Sequence, residues 1–189
     1  MKAVVTNLFF LLVLGACALS PQIIEIDPVI KVDSAAARPV RLWVDVVDMR
    51  NSKVIGKRGG IYKETSDIST GENMNSNLHH NLSKALSNLG YQVAAKGESY
   101  DAGLIVKITD ISYSAYTEKL LHKVDLRVAI AVVAQKNNRE FSGGFTATRK
   151  KDYVKAPSIE QNEEIVNETL SLVLEKMLVD DDLNGFLNG

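Results

Sequence analysis

The sequence predicts an α+β fold in which a largely antiparallel sheet packs against two helices, in the order β-β-α-β-β-β-β-α. Two amphipathic helical segments and several runs of alternating apolar and polar residues carry this prediction. At 46% hydrophobic and 24% charged residues, the 189-residue chain also has ample material for a core. We expect both helices on one face of the sheet, and a hairpin spanning about residues 122–153 to hold the sheet together.

The first predicted strand opens the folded domain. Every second residue of this segment is apolar: Val40, Leu42, Val44 and Val46. Such alternation is typical of a half-buried strand. A turn at residues 48–52 leads into a glycine-containing second arm, so we expect a hairpin here.

Both helices carry a capping signal. Ser69 with Glu72 predicts a helix from near Thr70 to Gly90, and Ser158 with Gln161 predicts the start of the last helix. A short strand over residues 91–94 follows the first helix. The first helix has one apolar face, as expected where a helix packs on a sheet.

The predicted strands between the helices show two irregularities. The apolar phase shifts near Thr109-Asp110, which predicts a β-bulge, and Gly143-Gly144 predicts a bend in the last strand. The strand over residues 123–133 becomes apolar on both faces in its second half. It is therefore expected to be central, with a helix on one side and an unidentified cover on the other.

Leu174 and Leu178 form a second apolar stripe on the last helix, beside its core face. Either the tail at Phe186-Leu187 folds over them or another protein covers them. Gly185 and Gly189 make the tail a poor fixed lid, and the aspartate run at residues 180–182 is expected to keep it solvated. The sequence therefore favours a protein interface at the two leucines, either with another envelope protein or by self-association.

The amino terminus has the features of a lipoprotein signal peptide. Leu14-Gly15-Ala16-Cys17 matches a lipobox and contains the only cysteine of the chain. The preceding apolar run, residues 8–14, suits a signal peptide and is too short for a membrane-spanning helix. We expect cleavage between Ala16 and Cys17, and acylation of Cys17 with palmitate-type chains.

The domain organisation follows from this cleavage site. Residues 1–16 are the predicted signal peptide, residues 17–39 a lipidated terminus and tether, and residues 40–189 a single domain. Within the tether, Ile24 and Ile26 could alternatively form a short strand against the sheet. Pro28 would confine such a strand to the edge of the sheet. Removing Lys2 with the signal peptide changes the formal net charge from −1 to −2, which argues against nucleic acid as a partner.

No catalytic or metal-binding motif stands out, and we expect no cofactor. His79 and His80 are adjacent, so they project about 100° apart on the helix and cannot ligate one metal ion together. Nucleophile-elbow, phosphate-loop and zinc-helix patterns are missing from the sequence. One group could contact an anion or a partner through its charges and open backbone: Lys53, Lys57, Arg58, Gly59 and Gly60.

The lipobox, the strand ending in Val47-Asp48-Met49-Arg50, the Arg58-Gly59-Gly60 segment and the order of later elements together resemble the YajG-like lipoproteins of Gram-negative bacteria. The resemblance implies an outer-membrane lipoprotein and no particular activity. A structural or interaction module that recruits or stabilises an envelope partner is favoured. A small-molecule, lipid-headgroup or glycan-binding module is the alternative, and an enzyme is favoured least.

Changing Cys17→Ser should leave uncleaved or soluble protein, because the acceptor for the acyl chains is lost, whereas the native protein should partition into membranes. Ala18 stands where aspartate would signal inner-membrane retention, so the native protein should co-fractionate with outer-membrane markers on a density gradient. Recovery with inner-membrane markers would contradict the sorting prediction and leave lipidation standing.

Overall fold

The computed structural model describes residues 20–36, 38–59 and 66–189, so Cys17 and the rest of the lipobox lie outside the described residues. The described part contains eight strands and three helices. Their bounds are β1 Gln22–Ile24, β2 Arg41–Asp48, β3 Val54–Lys57, β4 Asp67–Thr70, α1 Met74–Asn88, β5 Gln92–Val93, β6 Ala102–Glu118, β7 Leu121–Lys136, β8 Arg139–Tyr153, α2 Ile159–Leu178 and α3 Asp181–Asn188.

The strands form one mixed sheet. Strand β6 pairs with β2 through its first half, with β3 near its second half, and with β7 along its length. Four of the seven pairings between described strands are parallel, and only β3–β4, β6–β7 and β7–β8 are antiparallel. The α+β class is confirmed, but the predictions of a largely antiparallel sheet and of two helices in the order β-β-α-β-β-β-β-α are wrong. Alternation along a strand reports its faces and not the direction of its neighbour.

The local predictions differ in outcome. The capping box of Ser158 and Gln161 is present, and the register of β6 against β7 shifts between Ile108 and Asp110, which confirms the predicted bulge. The capping box at Ser69 is wrong, because Ser69 belongs to strand β4 and α1 begins at Met74. Ser69 pairs with both β1 and β3, and these distant partners override the local capping signal.

The core lies between the sheet and the helices. Strand positions such as Leu42, Leu104 and Val128 join buried residues of α1, α2 and α3 in one apolar cluster. On β7, the alternate residues Ala129 and Val133 are only half-buried. Only one face of the sheet therefore carries a helical layer in the part of the chain that the structure describes.

Helix α3 covers the second stripe of α2. Leu174 and Leu178 are 1% and 4% exposed, and Leu187 of α3 is 2% exposed. The side chain of Asp180 accepts a hydrogen bond from the amide of Leu183 and caps α3. The predicted protein interface at Leu174 and Leu178 is therefore wrong. The aspartate run does not form a solvated tail: it starts α3, and its carboxylates stabilise the positive end of the helix dipole.

The segment before residue 40 is also part of the domain. Ile24 and Ile26 are fully buried, and β1 pairs in parallel with β4. Backbone amides of residues 25, 27 and 31 donate to the side chains of Glu163, Asn167 and Glu175 on α2. The tether prediction is wrong for this segment. Side-chain acceptors on α2 bind its backbone amides, few of which have a partner in a neighbouring strand.

Truncating Leu174→Ala should lower the free energy of unfolding by about 2–5 kcal/mol, because it leaves a cavity in the core. Val179→Ala is the matched control on the next turn: Val179 is 67% exposed, and its truncation should stay within about 0.5 kcal/mol. Chemical denaturation followed by circular dichroism measures both. Equal and small losses of stability in the two variants would contradict the burial of Leu174.

Candidate functional site

One end of the sheet holds the start of the described chain. Register pairs align Gln22 with Ile68, Ile68 with Gly56, and Gly56 with Tyr113 in one row across four strands. Because β1 runs antiparallel to β6, residues before Gln22 and residues after Tyr113 extend beyond this row in the same direction. We call this end, formed by residues 20–22, 57–59, 114–123 and 150–158, the anchor end.

Arg58 is the main connector of the anchor end. Its guanidinium donates to the backbone oxygen of Ser20 at 3.0 Å and to that of Pro157 at 3.2 Å. Ser20 is the first described residue, and Pro157 lies just before α2. The guanidinium group thus joins the amino-terminal segment, strand β3 and the start of α2.

A buried polar network lies beside Arg58. The side-chain amides of Gln22 and Asn162 hydrogen-bond at 2.7 Å, and the Tyr113 hydroxyl donates to Asn162 at 2.7 Å. Asn162 is fully buried. Burial, with a smaller contribution from Tyr153, raises the pKa of the Tyr113 hydroxyl well above its ordinary value, so it stays a protonated donor. The network fixes the amino-terminal segment and offers no activated nucleophile.

The predicted anion group is dispersed into contacts within the chain. Lys53 pairs with Glu72, and Lys57 lies 2.9 Å from Asp67. Gly59 has a φ of +79°, and Gly60 lies outside the described residues. The structure gives the charge of Arg58, which the sequence singled out for an anion or partner contact, two backbone carbonyl partners within the chain.

The face of the sheet opposite the helices is a second candidate surface, which we call the outer face. Register pairs place Asp45 beside Ile105 and Ile105 beside Val133. Trp43 lies on the same face, two residues before Asp45 in β2. Its ring stacks on that of Tyr100, with 5.9 Å between the ring centroids. These strand residues are half-buried and stand outside the core cluster. The apolar half of β7 is recognisable in the sequence, whereas Trp43 was not singled out. The available signal was a large aromatic residue on the side of the strand that otherwise carries Arg41 and Asp45.

The other residues considered for chemistry have structural neighbours. Nε2 of His79 lies 3.2 Å from the backbone oxygen of Val44, and Nδ1 of His122 lies 3.4 Å from Oγ1 of Thr117. Within the described residues, no group of three or more histidine, cysteine or acidic residues is placed to hold a metal ion. An open groove of about 420 Å³ runs beside α2, and its lining includes Arg149 and Glu168, which pair at 2.6 Å.

Comparison with known proteins gives a family and a fold. A family model described as uncharacterized lipoprotein matches residues 28–188, while no curated protein matches. The chain is similar to the crystal structure of a Xanthomonas campestris protein of family DUF330, with a TM-score of 0.53 and 16% identity, covering 82% of this chain and 91% of that one. It is also similar to the crystal structure of an uncharacterized protein, with a TM-score of 0.52 and 11% identity, covering 84% and 96%. At these identities the structural similarity shows the fold alone.

None of the described helices combines the length and the apolar character needed to cross a membrane.

Replacing Arg58→Ala should lower the free energy of unfolding by about 1.5–3 kcal/mol, the usual worth of hydrogen bonds to a charged group. It should also speed proteolysis near residues 20–24, because Ser20 loses its hydrogen bond from Arg58. Lys53→Ala is the control, since its ion pair is largely exposed and such pairs contribute about 0–1 kcal/mol. Limited proteolysis with mass spectrometry reads the cleavage sites, and equal cleavage in both variants would contradict the role of Arg58.

Proposed function

Because the chain belongs to a family of uncharacterised lipoproteins, we propose that it is a membrane-anchored envelope lipoprotein that recruits or stabilises a protein partner and catalyses no reaction. Its anchor is the acylated Cys17, and its location is the periplasmic face of the outer membrane. The lipobox and Ala18 support these two assignments. The family match supports the membrane-anchored envelope location in general terms.

The outer face is the observation that carries the interaction role. Trp43, Ile105 and Val133 share this face, and no described helix packs over it. A sheet normally buries its apolar face against another layer. Tryptophan and tyrosine are also enriched where proteins contact each other, because they combine a large apolar area with a polar atom. The Trp43–Tyr100 pair therefore suits the centre of a protein interface.

The charges around the outer face favour a protein over a lipid surface or a polyanion. Asp45 and Lys107 lie on this face, and Arg127 pairs with Asp110 at 2.9 Å. Both signs are thus present around the apolar centre. A protein partner with an apolar centre and a mixed rim would complement this surface, whereas a lipid surface would favour cations alone.

The binding of a small molecule, lipid headgroup or glycan is supported less well. The cations predicted to hold an anion contact acceptors of the same chain, as described for Lys53, Lys57 and Arg58. The groove beside α2 is open and presents a salt-bridged arginine.

A photo-crosslinking amino acid at Val133 in the membrane-anchored protein should form an adduct with another envelope protein in cells. The same amino acid at Val179, an exposed residue away from the outer face, is the control and should not form it. Trp43→Ala should then reduce the Val133 adduct several-fold while leaving membrane association unchanged. Immunoblotting and mass spectrometry identify the adduct. An adduct of this chain with itself, or equal adducts from both positions, would contradict the proposal.

A further inference from the structure

The distance between Cys17 and the domain is short. Ser20 is held by Arg58, so only three peptide steps separate the fixed backbone from Cys17. Three residues span at most about 10 Å. Cys17 also lies five residues before Gln22, which is aligned through two strands with Tyr113 of β6. The membrane surface that holds Cys17 must therefore lie close to the anchor end.

The β6–β7 hairpin projects from the same end. Glu118 lies five residues beyond Tyr113 and pairs with Leu121 at the turn. Five strand residues extend about 17 Å, which equals the longest extension that five residues allow between Gln22 and Cys17. The turn at Lys119 and Leu120 therefore reaches at least as far outward as Cys17 can.

The hairpin turn exposes apolar and cationic side chains together. Leu120 is 90% exposed and Val154 is 80% exposed. The pairing of His122 with Tyr153 places Val154 next to the turn. Lys119 and Lys155 flank the two apolar residues, and neither forms an ion pair within the described residues.

The acidic residues beside the turn are already partnered. Glu118 and Asp152 both contact Nζ of Lys123, at 3.0 and 3.7 Å. The two carboxylates share one ammonium and leave one negative charge, so Lys119 and Lys155 still give the turn a net positive charge. Apolar side chains bordered by lysines are typical of protein segments that lie in the interface of an anionic membrane.

A second hairpin in the same sheet provides an internal comparison. The β7–β8 turn uses Asn137 and Asn138, with φ values of 49° and 59°, and the β6–β7 turn uses Lys119 and Leu120, with φ values of 48° and 71°. Asparagine tolerates positive φ, whereas leucine adopts it at a cost in backbone energy. Folding alone would favour asparagine or glycine at both turns. A leucine held in this conformation and pointed into solvent indicates a role outside the domain.

We propose that Leu120 and Val154 insert into the headgroup region of the leaflet that anchors Cys17, and that Lys119 and Lys155 contact its anionic phospholipids. The protein then touches the membrane through its own side chains as well as through its acyl chains. This inference rests on the proposed anchoring at Cys17. It commits to a phospholipid surface as the occupant, because the reach of the chain brings that surface to the turn.

The test uses the full lipidated protein in vesicles of phosphatidylethanolamine and phosphatidylglycerol. Acylation occupies the only native cysteine, so Leu120→Cys supplies one free thiol for an environment-sensitive fluorophore. The label at position 120 should shift its emission to shorter wavelength and be quenched several-fold by lipids with a nitroxide in the headgroup region. Asn138→Cys is the matched control, since it occupies the same position of the equivalent turn at the opposite end of the sheet. Its label should respond as in water.

The outcomes separate the two proposals. If the protein floats with the vesicles but the label at position 120 behaves like the one at 138, the insertion is overturned and the anchoring stands. If the unlabelled protein fails to float, the anchoring at Cys17 is overturned, and the insertion with it. In a second arm, Lys119→Glu with Lys155→Glu should reduce quenching at position 120 in anionic vesicles more than in vesicles of phosphatidylcholine. An equal effect in both would overturn the assignment of anionic headgroups to the lysines.

Discussion

The requirement that buried polar groups be hydrogen-bonded governs the anchor end and, through it, the position of the domain. Asn162 and Gln22 are buried near the start of α2, and each needs partners inside the protein. They bond to one another, and Asn162 also accepts a hydrogen bond from Tyr113. The neighbouring Arg58 donates to the backbone oxygen of Ser20. Leaving such groups unpaired costs more than pairing them gains. The amino-terminal segment is therefore bound to the domain from Ser20 onward, three residues after Cys17.

This constraint orients the molecule as well as attaching it. A long flexible tether would let the domain rotate freely above the membrane. Here the first described residue is fixed to strand β3, and residues 25–31 follow α2 through hydrogen bonds to its side chains. Under the proposed acylation of Cys17, the anchor end would face the lipid and the outer face would stand to the side of it. In that proposed orientation, Trp43 and Val133 would be open to a protein partner in the envelope.

The sequence predicted those features that depend on neighbouring residues. The strand from residue 41, the bulge after Ile108 and the Ser158 capping box are local patterns, and the structure contains all three. Features that depend on distant residues escaped: the acceptors that fix the amino-terminal segment lie 138–144 residues away in the chain. The stripe of Leu174 correctly indicated a second cover on α2, but an amphipathic pattern cannot identify what provides it. At the candidate site the lipobox and Arg58 were recognisable by residue type, whereas the partners of Arg58 and the exposure of Leu120 required the fold.

A contact between the β6–β7 turn and the membrane would add little to the free energy that attaches the protein to the membrane. Several acyl chains on one residue already hold a protein essentially permanently, since each buried methylene contributes about 0.8 kcal/mol. A single point of attachment still permits tilting about that point, however short the chain beside it. Leu120 and Val154, placed by β7 and β8 at a distance from the Ser20 attachment, would supply a second point and so restrict the tilt. Under the proposed anchoring, the acyl chains at Cys17 would bring Leu120 within reach of lipid, and its contact there would orient the outer face and so offset the backbone cost of leucine at positive φ.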